Sequence, residues 1–388
     1  MAPPPYAAAV VVATVAVLVL VSQVSVAAGA DCRFPAVFNF GDSNSDTGGL
    51  SATFGAAPPP NGRTFFGMPV GRYCDGRLVI DFIESLGLPY LSAYLNSIGS
   101  NFTQGANFAT AGSSIRRQNT SLFLSGFSPI SLDVQSWEFE QFINRSQFVY
   151  NNKGIYRELL PKAEYFSQAL YTFDIGQNDI TTGFFINMTS EQVIAYIPDL
   201  MERLTNIIQN VYGLGGRYFW IHNTGPIGCL PYAMVHRPDL AVVKDGSGCS
   251  VAYNEVAQLF NQRLKETVGH LRKTHADAAF TYVDVYSAKY KLISDAKKLM
   301  DDPMLTCCGY GGGRYNFDDR VGCGGKVKVN GTWVVAGKSC DDPLKRVSWD
   351  GVHFTEAANK FVFDQIAGGK LSDPPVPLRQ ACQISRGQ

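Results

Sequence analysis

Ala36-Val37-Phe38-Asn39-Phe40-Gly41-Asp42-Ser43-Asn44-Ser45-Asp46-Thr47-Gly48-Gly49 joins a short, mostly apolar run to a cluster of small polar residues and glycines. The first half reads as a strand covered on both faces, because a strand with one wet face alternates apolar and polar residues. The second half reads as a tight turn, since Asp and Gly tolerate the backbone conformations that a turn demands. In a sheet of parallel strands, ligands collect outside the carboxyl ends. Ser43, a small hydroxyl directly after the first strand, is therefore a candidate nucleophile, and the backbone N–H groups that follow favour negative charge. An ordinary Gly-Asp-Ser-Asn turn is the competing reading of the same residues.

Similar apolar runs recur along the chain. Leu170 to Ile175, Arg217 to His222 and Phe280 to Val285 read as further buried strands. Helical patterns lie between them. From Ser190 to Tyr212, the residues Val193, Ile197, Leu200, Leu204, Ile207, Ile208 and Val211 recur at helical spacing. Val256, Leu259, Phe260, Leu264, Val268 and Leu271 do the same between Val251 and Thr274. Strands alternating with helices predict an α/β fold: one α/β/α sandwich around a mostly parallel sheet of about five strands. No repeat and no linker separates two cores, so one domain is expected over 31–372, with 373–388 as a C-terminal tail. Pro58 to Gly62 reads as a surface loop, and Gly309 to Gly325 as a long loop held by disulfides.

The 33 basic and 33 acidic residues balance, which gives no electrostatic reason to expect nucleic acid as a partner. Hydrophobic residues make up 46% of the chain and charged residues 17%, enough apolar material for a large core. Residues 1–30 read as a signal peptide. Ala7 to Val21 is apolar but for Thr14, and Ala28-Gly29-Ala30 has the small-x-small form of a cleavage site. Asp31 is then the mature start. No Lys or Arg precedes the apolar run, and an uncleaved anchor is the alternative. The expected location is extracellular or the cell wall, with no stable membrane association after cleavage; the Golgi or endomembrane lumen is the other possibility. All nine cysteines follow Ala30, and Asn-x-Ser/Thr sequons stand at Asn101, Asn119, Asn144, Asn187 and Asn330. Disulfides are the default in an oxidising compartment. Absence of a Cys-x-x-Cys pair argues against zinc. The odd cysteine count leaves at least one thiol free or paired between chains, and spacing does not fix the pairing.

Three more segments carry chemistry. Asp350-Gly351-Val352-His353 lies on a loop before a helical run. Two residues between Asp and His let the carboxylate fold back onto the imidazole, fixing its tautomer and stabilising its protonated form. A solvated histidine at a helix start is the plainer reading. Of the other histidines, His270 and His275 fall on a helical pattern and read as surface, and His222 ends a strand as a core histidine would. Asp174-Ile175-Gly176-Gln177-Asn178-Asp179 directly follows a strand, and the Asn178 amide is a neutral donor suited to a developing oxyanion. In Asn107-Phe108-Ala109-Thr110-Ala111-Gly112, Gly112 offers an unobstructed N–H. Either segment alone is an ordinary loop.

In this order the segments resemble the plant GDSL esterase/lipase family of the SGNH hydrolase superfamily, closest to its early-nodulin-like branch. The similarity runs from Phe34 to about Gly368. The resemblance implies a flavodoxin-like sandwich and a serine esterase without cofactor or metal. It places Ser43 on the nucleophile and Asp350 and His353 on the acid–base pair. The N–H groups of Ser43 and Gly112 and the Asn178 amide fall on the oxyanion donors. Tyr73-Cys74-Asp75-Gly76-Arg77 and Asn223 to Cys229 also match, as structural segments.

The resemblance implies ester substrates, small or polysaccharide, and leaves the acyl group open: acetylesterases, lipases and fucosidase-like proteins share the branch. Transfer to a second alcohol, glycoside hydrolysis and a non-catalytic wall or defence role are the rivals. No Gly-x-Ser-x-Gly elbow, His-Glu-x-x-His or Walker loop is present.

Overall fold

The computed structural model describes residues 30–383, apart from 97, 120–125, 153 and 299–301. The segment read as a signal peptide lies, except for Ala30, outside the described residues. Five strands pair in parallel: β1 (Val37–Gly41), β2 (Gly105–Asn107), β3 (Leu170–Asp174), β4 (Tyr218–His222) and β5 (Ala279–Val283). Their order across the sheet is β2-β1-β3-β4-β5, and Ser372–Asp373 adds a short antiparallel edge beyond β5. The expected sheet of about five parallel strands is present with this sixth strand appended.

The alternation of side chains along each strand sorts them into two layers. Phe38, Phe40, Tyr171, Phe173, Phe219, Ile221 and Phe280 face one side, against helices Leu132–Asn151, Ser190–Gly213 and Val251–Thr274. Their rings stack across neighbouring strands, as Phe40 on Phe173 at 4.9 Å and Phe219 on Phe280 at 4.6 Å. Val37, Leu170, Trp220 and Val283 face the other side, against Val285–Ala296 and Glu356–Ala367. Emptying one such ring position, for instance Phe219→Ala, costs about 3–5 kcal/mol.

The helix starts follow local chemistry. Thr189 and Ser250 accept from the N–H groups of Gln192 and Tyr253, which satisfies donors that a first turn leaves unpaired. Four disulfides hold the irregular segments: Cys32–Cys382, Cys229–Cys249, Cys307–Cys340 and Cys308–Cys323. Cys74 is the free thiol, and it is buried. The stretch set aside as a tail packs on the domain through the edge strand, Leu378 and Ala381.

Strand order places the site. The chain leaves β1 toward β2 on one side, while β3, β4 and β5 build outward on the other. Such a reversal opens a crevice at the carboxyl ends of β1 and β3. Ser43 follows β1 and Asn178 follows β3.

Candidate active site

β1 ends at Gly41, where backbone meets backbone closely: a Cβ there would lie 2.5 Å from the Asp174 carbonyl oxygen. Asp42 donates its N–H to the same oxygen at 3.1 Å. Its Oδ1 then accepts from both the Asn44 N–H and the Asn44 amide, each at 2.9 Å, which folds the turn around Ser43. Beneath this turn lies a buried polar lattice. Asn39 donates to Ser45 Oγ (3.0 Å) and Asn107 Oδ1 (2.7 Å), and accepts from Thr172 at 2.7 Å. Asp46 gathers the N–H groups of Gly48, Leu50 and Ala111 at 2.7, 3.1 and 2.7 Å, tying the Ser43 turn to the segment that carries Gly112.

Gly112 has φ +79° and a Cβ there would meet Gly126 O at 2.9 Å, so glycine is required on both counts. Among the described residues, the backbone N–H groups of Ser43 and Gly112 donate to no acceptor. Asn178 opens the second turn-to-helix junction, after Gly176 at φ +122°. Its amide donates to Ser113 O at 2.8 Å and faces Asp42 Oδ2 at a long 3.4 Å.

The Asp350–His353 loop is gripped from several directions. Trp349 is buried, donates its ring N–H to Asn61 Oδ1 at 2.8 Å and its backbone N–H to the His353 carbonyl at 2.8 Å. Cys307 and Cys308 donate backbone N–H groups to Ser348 O and Trp349 O at 3.0 and 2.5 Å. Thr355 caps the helix that follows. The helix is docked by Asp75, which accepts the Glu356 N–H at 2.8 Å, and by the Arg77–Glu356 ion pair. Asp350 Oδ1 accepts the N–H groups of Val352 and His353, at 2.9 and 2.7 Å. Its Oδ2 lies 2.6 Å from His353 Nδ1. A carboxylate only accepts, so Nδ1 carries the proton and Nε2 presents its lone pair. That Nε2 is buried without a hydrogen-bond partner among the described residues. The two loops meet through Lys289, whose Nζ donates to Asn44 Oδ1 at 3.1 Å and lies 5.1 Å from the Phe354 ring centroid.

Buried charge surrounds the junction of β1 and β3. Burial, then the neighbouring Asp174, pushes the Asp42 carboxyl up to about 7. Burial alone would also raise Asp174, but the hydrogen bond from His222 Nδ1 (3.2 Å) and the charges of His222 and Lys289 hold it below the usual range. Burial pushes Asp179 up to about 7, against hydrogen bonds from the Arg116 and Ile115 N–H groups. Sequence reasoning missed Gln135, Asp46 and Lys289 as parts of this assembly; each lies far from the motifs or carries no spacing signal. His222 is buried, with its Nδ1 against Asp174 and its Nε2 without a hydrogen-bond partner among the described residues; His270 is exposed, and the His275 ring lies tilted against Tyr212 with centroids 4.1 Å apart. All five sequon asparagines are exposed. No group of three or more His, Cys, Asp or Glu among the described residues is placed to hold a metal ion. A cavity of about 500 Å³ is lined by Arg116, Phe127, Asp179, Phe185 and Met188, and neither Ser43 nor His353 is among its described lining residues.

Residues 37–366 match the sequence profile described as GDSL-like Lipase/Acylhydrolase. The chain is 83% identical to GDSL esterase/lipase ACHE of Zea mays, over 93% of this chain and 92% of that one. It is 59% identical to Alpha-L-fucosidase 3 of Arabidopsis thaliana (87% and 91% covered) and 50% identical to GDSL esterase/lipase ENOD8 of Medicago truncatula (95% of each). A profile spanning most of the chain, together with these relatives and the parallel sheet, makes the protein an esterase that belongs to the GDSL-like lipase/acylhydrolase family.

Proposed function

We propose that the protein is a secreted serine esterase in which Ser43, His353 and Asp350 transfer an acyl group through a covalent intermediate. The supporting observation is His353: its Nδ1 is held by Asp350 and its Nε2 is buried and unpaired. His353 Nε2 takes the Ser43 proton as Oγ attacks the ester carbonyl. The free N–H groups of Ser43 and Gly112 and the second amide hydrogen of Asn178 receive the oxyanion. That hydrogen now points at Asp42 across 3.4 Å, a weak contact that an oxyanion can displace. Imidazolium His353, steadied by Asp350, next gives its proton to the leaving alcohol. Water then repeats the sequence on the acyl-enzyme.

Four disulfides and exposed sequons fit the secretory route. The substrate we favour is a small acyl group, acetyl, on a carbohydrate or glycoside. Among the described residues, neither Ser43 nor His353 lines the 500 Å³ cavity. Ser43→Ala should abolish hydrolysis of p-nitrophenyl acetate in folded protein; retention of most of the activity would end this reading. Along a p-nitrophenyl ester series, greater activity on long chains would remove the acetyl preference alone. The name of the Arabidopsis relative raises glycoside hydrolysis as a second reading. Activity on an aryl α-L-fucoside that survives fluorophosphonate treatment would favour it.

A further inference from the structure

Lys289, on the helix Val285–Ala296, is only 6% exposed. Lysine is almost never this buried unless paired, yet no carboxylate lies within 4.0 Å of its Nζ among the described residues. The side chain runs past Gly225, where a Cβ would stand 2.9 Å from Lys289 Cδ and would force the stem to shift. At its end, the ammonium makes two contacts. It donates to Asn44 Oδ1 at 3.1 Å, and it lies 5.1 Å from the centroid of the Phe354 ring.

These contacts share one property. Asn44 follows Ser43, and Phe354 follows His353. Asn44 is itself bonded twice to Asp42 Oδ1, so a pull on its amide is felt on both sides of Ser43. Phe354 pairs with Ser348 across the loop, so its placement sets the frame in which Asp350 and His353 sit. An apolar residue of equal length would fill the same slot without desolvating a charge. Burial pulls the Lys289 ammonium below the usual lysine range, and the charges of Asp174 and Asp42, at longer range, offset part of that. The buried cation is therefore costly where it stands, and what it touches is the pair of loops that must meet.

We infer that Lys289 is a positioning residue: a buried brace that fixes the nucleophile turn against the histidine loop through Asn44 and Phe354. The inference rests on the reading of Ser43 and His353 as the reacting pair. A brace acts on geometry in the transition state rather than on substrate binding, so its loss falls on turnover.

The test uses the full glycosylated chain, p-nitrophenyl acetate kinetics, and the rate at which a fluorophosphonate labels Ser43. Lys289→Met should lower kcat and the labelling rate together, roughly 10- to 100-fold, with KM within about twofold. Asn44→Ala should lower kcat in the same manner, and the double variant should lose less than the product of the two single losses, because the Lys289–Asn44 contact is removed by both. Lys289→Met with wild-type kcat per folded molecule overturns the brace, as does simple multiplication of the two losses. If Lys289→Met fails to fold, Asn44→Ala and Phe354→Leu decide: wild-type kcat in both overturns the inference. Ser43→Ala separates the two proposals. If it stays active, the reading of the site has failed; if it is inert while the brace variants match wild type, only the role of Lys289 has failed.

Discussion

Gln135 grips Gly41 from both sides: its Oε1 accepts the Gly41 N–H at 2.9 Å and its Nε2 donates to the Gly41 carbonyl at 2.8 Å. A helix on one layer thereby finishes the hydrogen bonding of β1 at the point where the sheet ends and Ser43 begins. Gln135→Leu keeps the bulk and leaves a buried backbone N–H without an acceptor, which should cost about 1–3 kcal/mol. Chemical denaturation should show that loss, and kcat on an aryl acetate should fall with it. Unchanged stability and turnover would mean that β1 holds its end without help.

Asn178 is expected to act through a donor that no carboxylate can replace. Asn178→Ala should lower kcat about 10²–10³-fold, the usual cost of one oxyanion donor, with a small change in KM. Asn178→Asp, nearly the same shape, should be at least as damaging, because it adds negative charge 3.4 Å from Asp42 Oδ2. Steady-state kinetics on p-nitrophenyl acetate check both. An active Asp variant would remove the amide from the mechanism.

Glu138 offers a pH test of stability. It is 8% exposed and its Oε2 has no hydrogen-bond partner among the described residues. Burial pushes its carboxyl up to about 7 from the usual 4.5. Below pH 4.5 the group is neutral in both folded and unfolded chains and its titration costs nothing. Between 4.5 and 7 the unfolded chain ionises freely while the folded one resists, so stability declines as pH rises. Glu138→Met removes this term. Its Tm advantage over the wild type should grow from pH 4.5 to pH 8, reaching at most about 3 kcal/mol in free energy. A difference in Tm that is flat with pH would show that Glu138 ionises without penalty.

The paired bridges at Cys307 and Cys308 should matter for turnover as well as for melting. Both residues donate backbone N–H groups to the segment Ser348–Trp349 that leads into Asp350. Cys308→Ala with Cys323→Ala opens a crosslink of separation 15, worth about 3 kcal/mol in the chain-entropy view. Measured well below its lowered Tm, the double variant should still show reduced kcat. Full activity there would make the bridges purely a matter of stability.

Much of this arrangement was legible beforehand because the elements are long or strongly patterned. The helix read over Ser190–Tyr212 ends at Gly213, and Val251–Thr274 has the limits its periodicity indicated. β3, β4 and β5 lie where continuous apolar runs placed them. β2 was not seen as a strand. Its three residues, Gly105–Asn107, hold one apolar side chain, so no period can show. Tertiary contact makes it a strand: a Cβ on Gly105 would collide with Val37 O, and Asn107 is held by Asn39.

At the site, the residues of the turns were readable because their spacing is local: Asp350 reaches His353 across two residues. Gln135 and Lys289 were not, because each acts at a distance of 94 or 245 positions from the residue it serves. A glutamine and a lysine on helical patterns look like solvated positions until the sheet brings β1 beneath them. The cysteine pairing had the same obstacle, and the free thiol at Cys74 follows from burial beside Phe354 O and Arg77 O rather than from any motif.

The bridge between Cys32 and Cys382 spans a separation of 350 residues, so nearly the whole described domain is a closed covalent ring. A protease that cuts one exposed loop of this ring releases no fragment. The nicked chain keeps both halves tethered at their outer ends, and the two pieces part only after reduction. If the protein is secreted as proposed, the first cut by an extracellular protease is then a wound that the fold can survive.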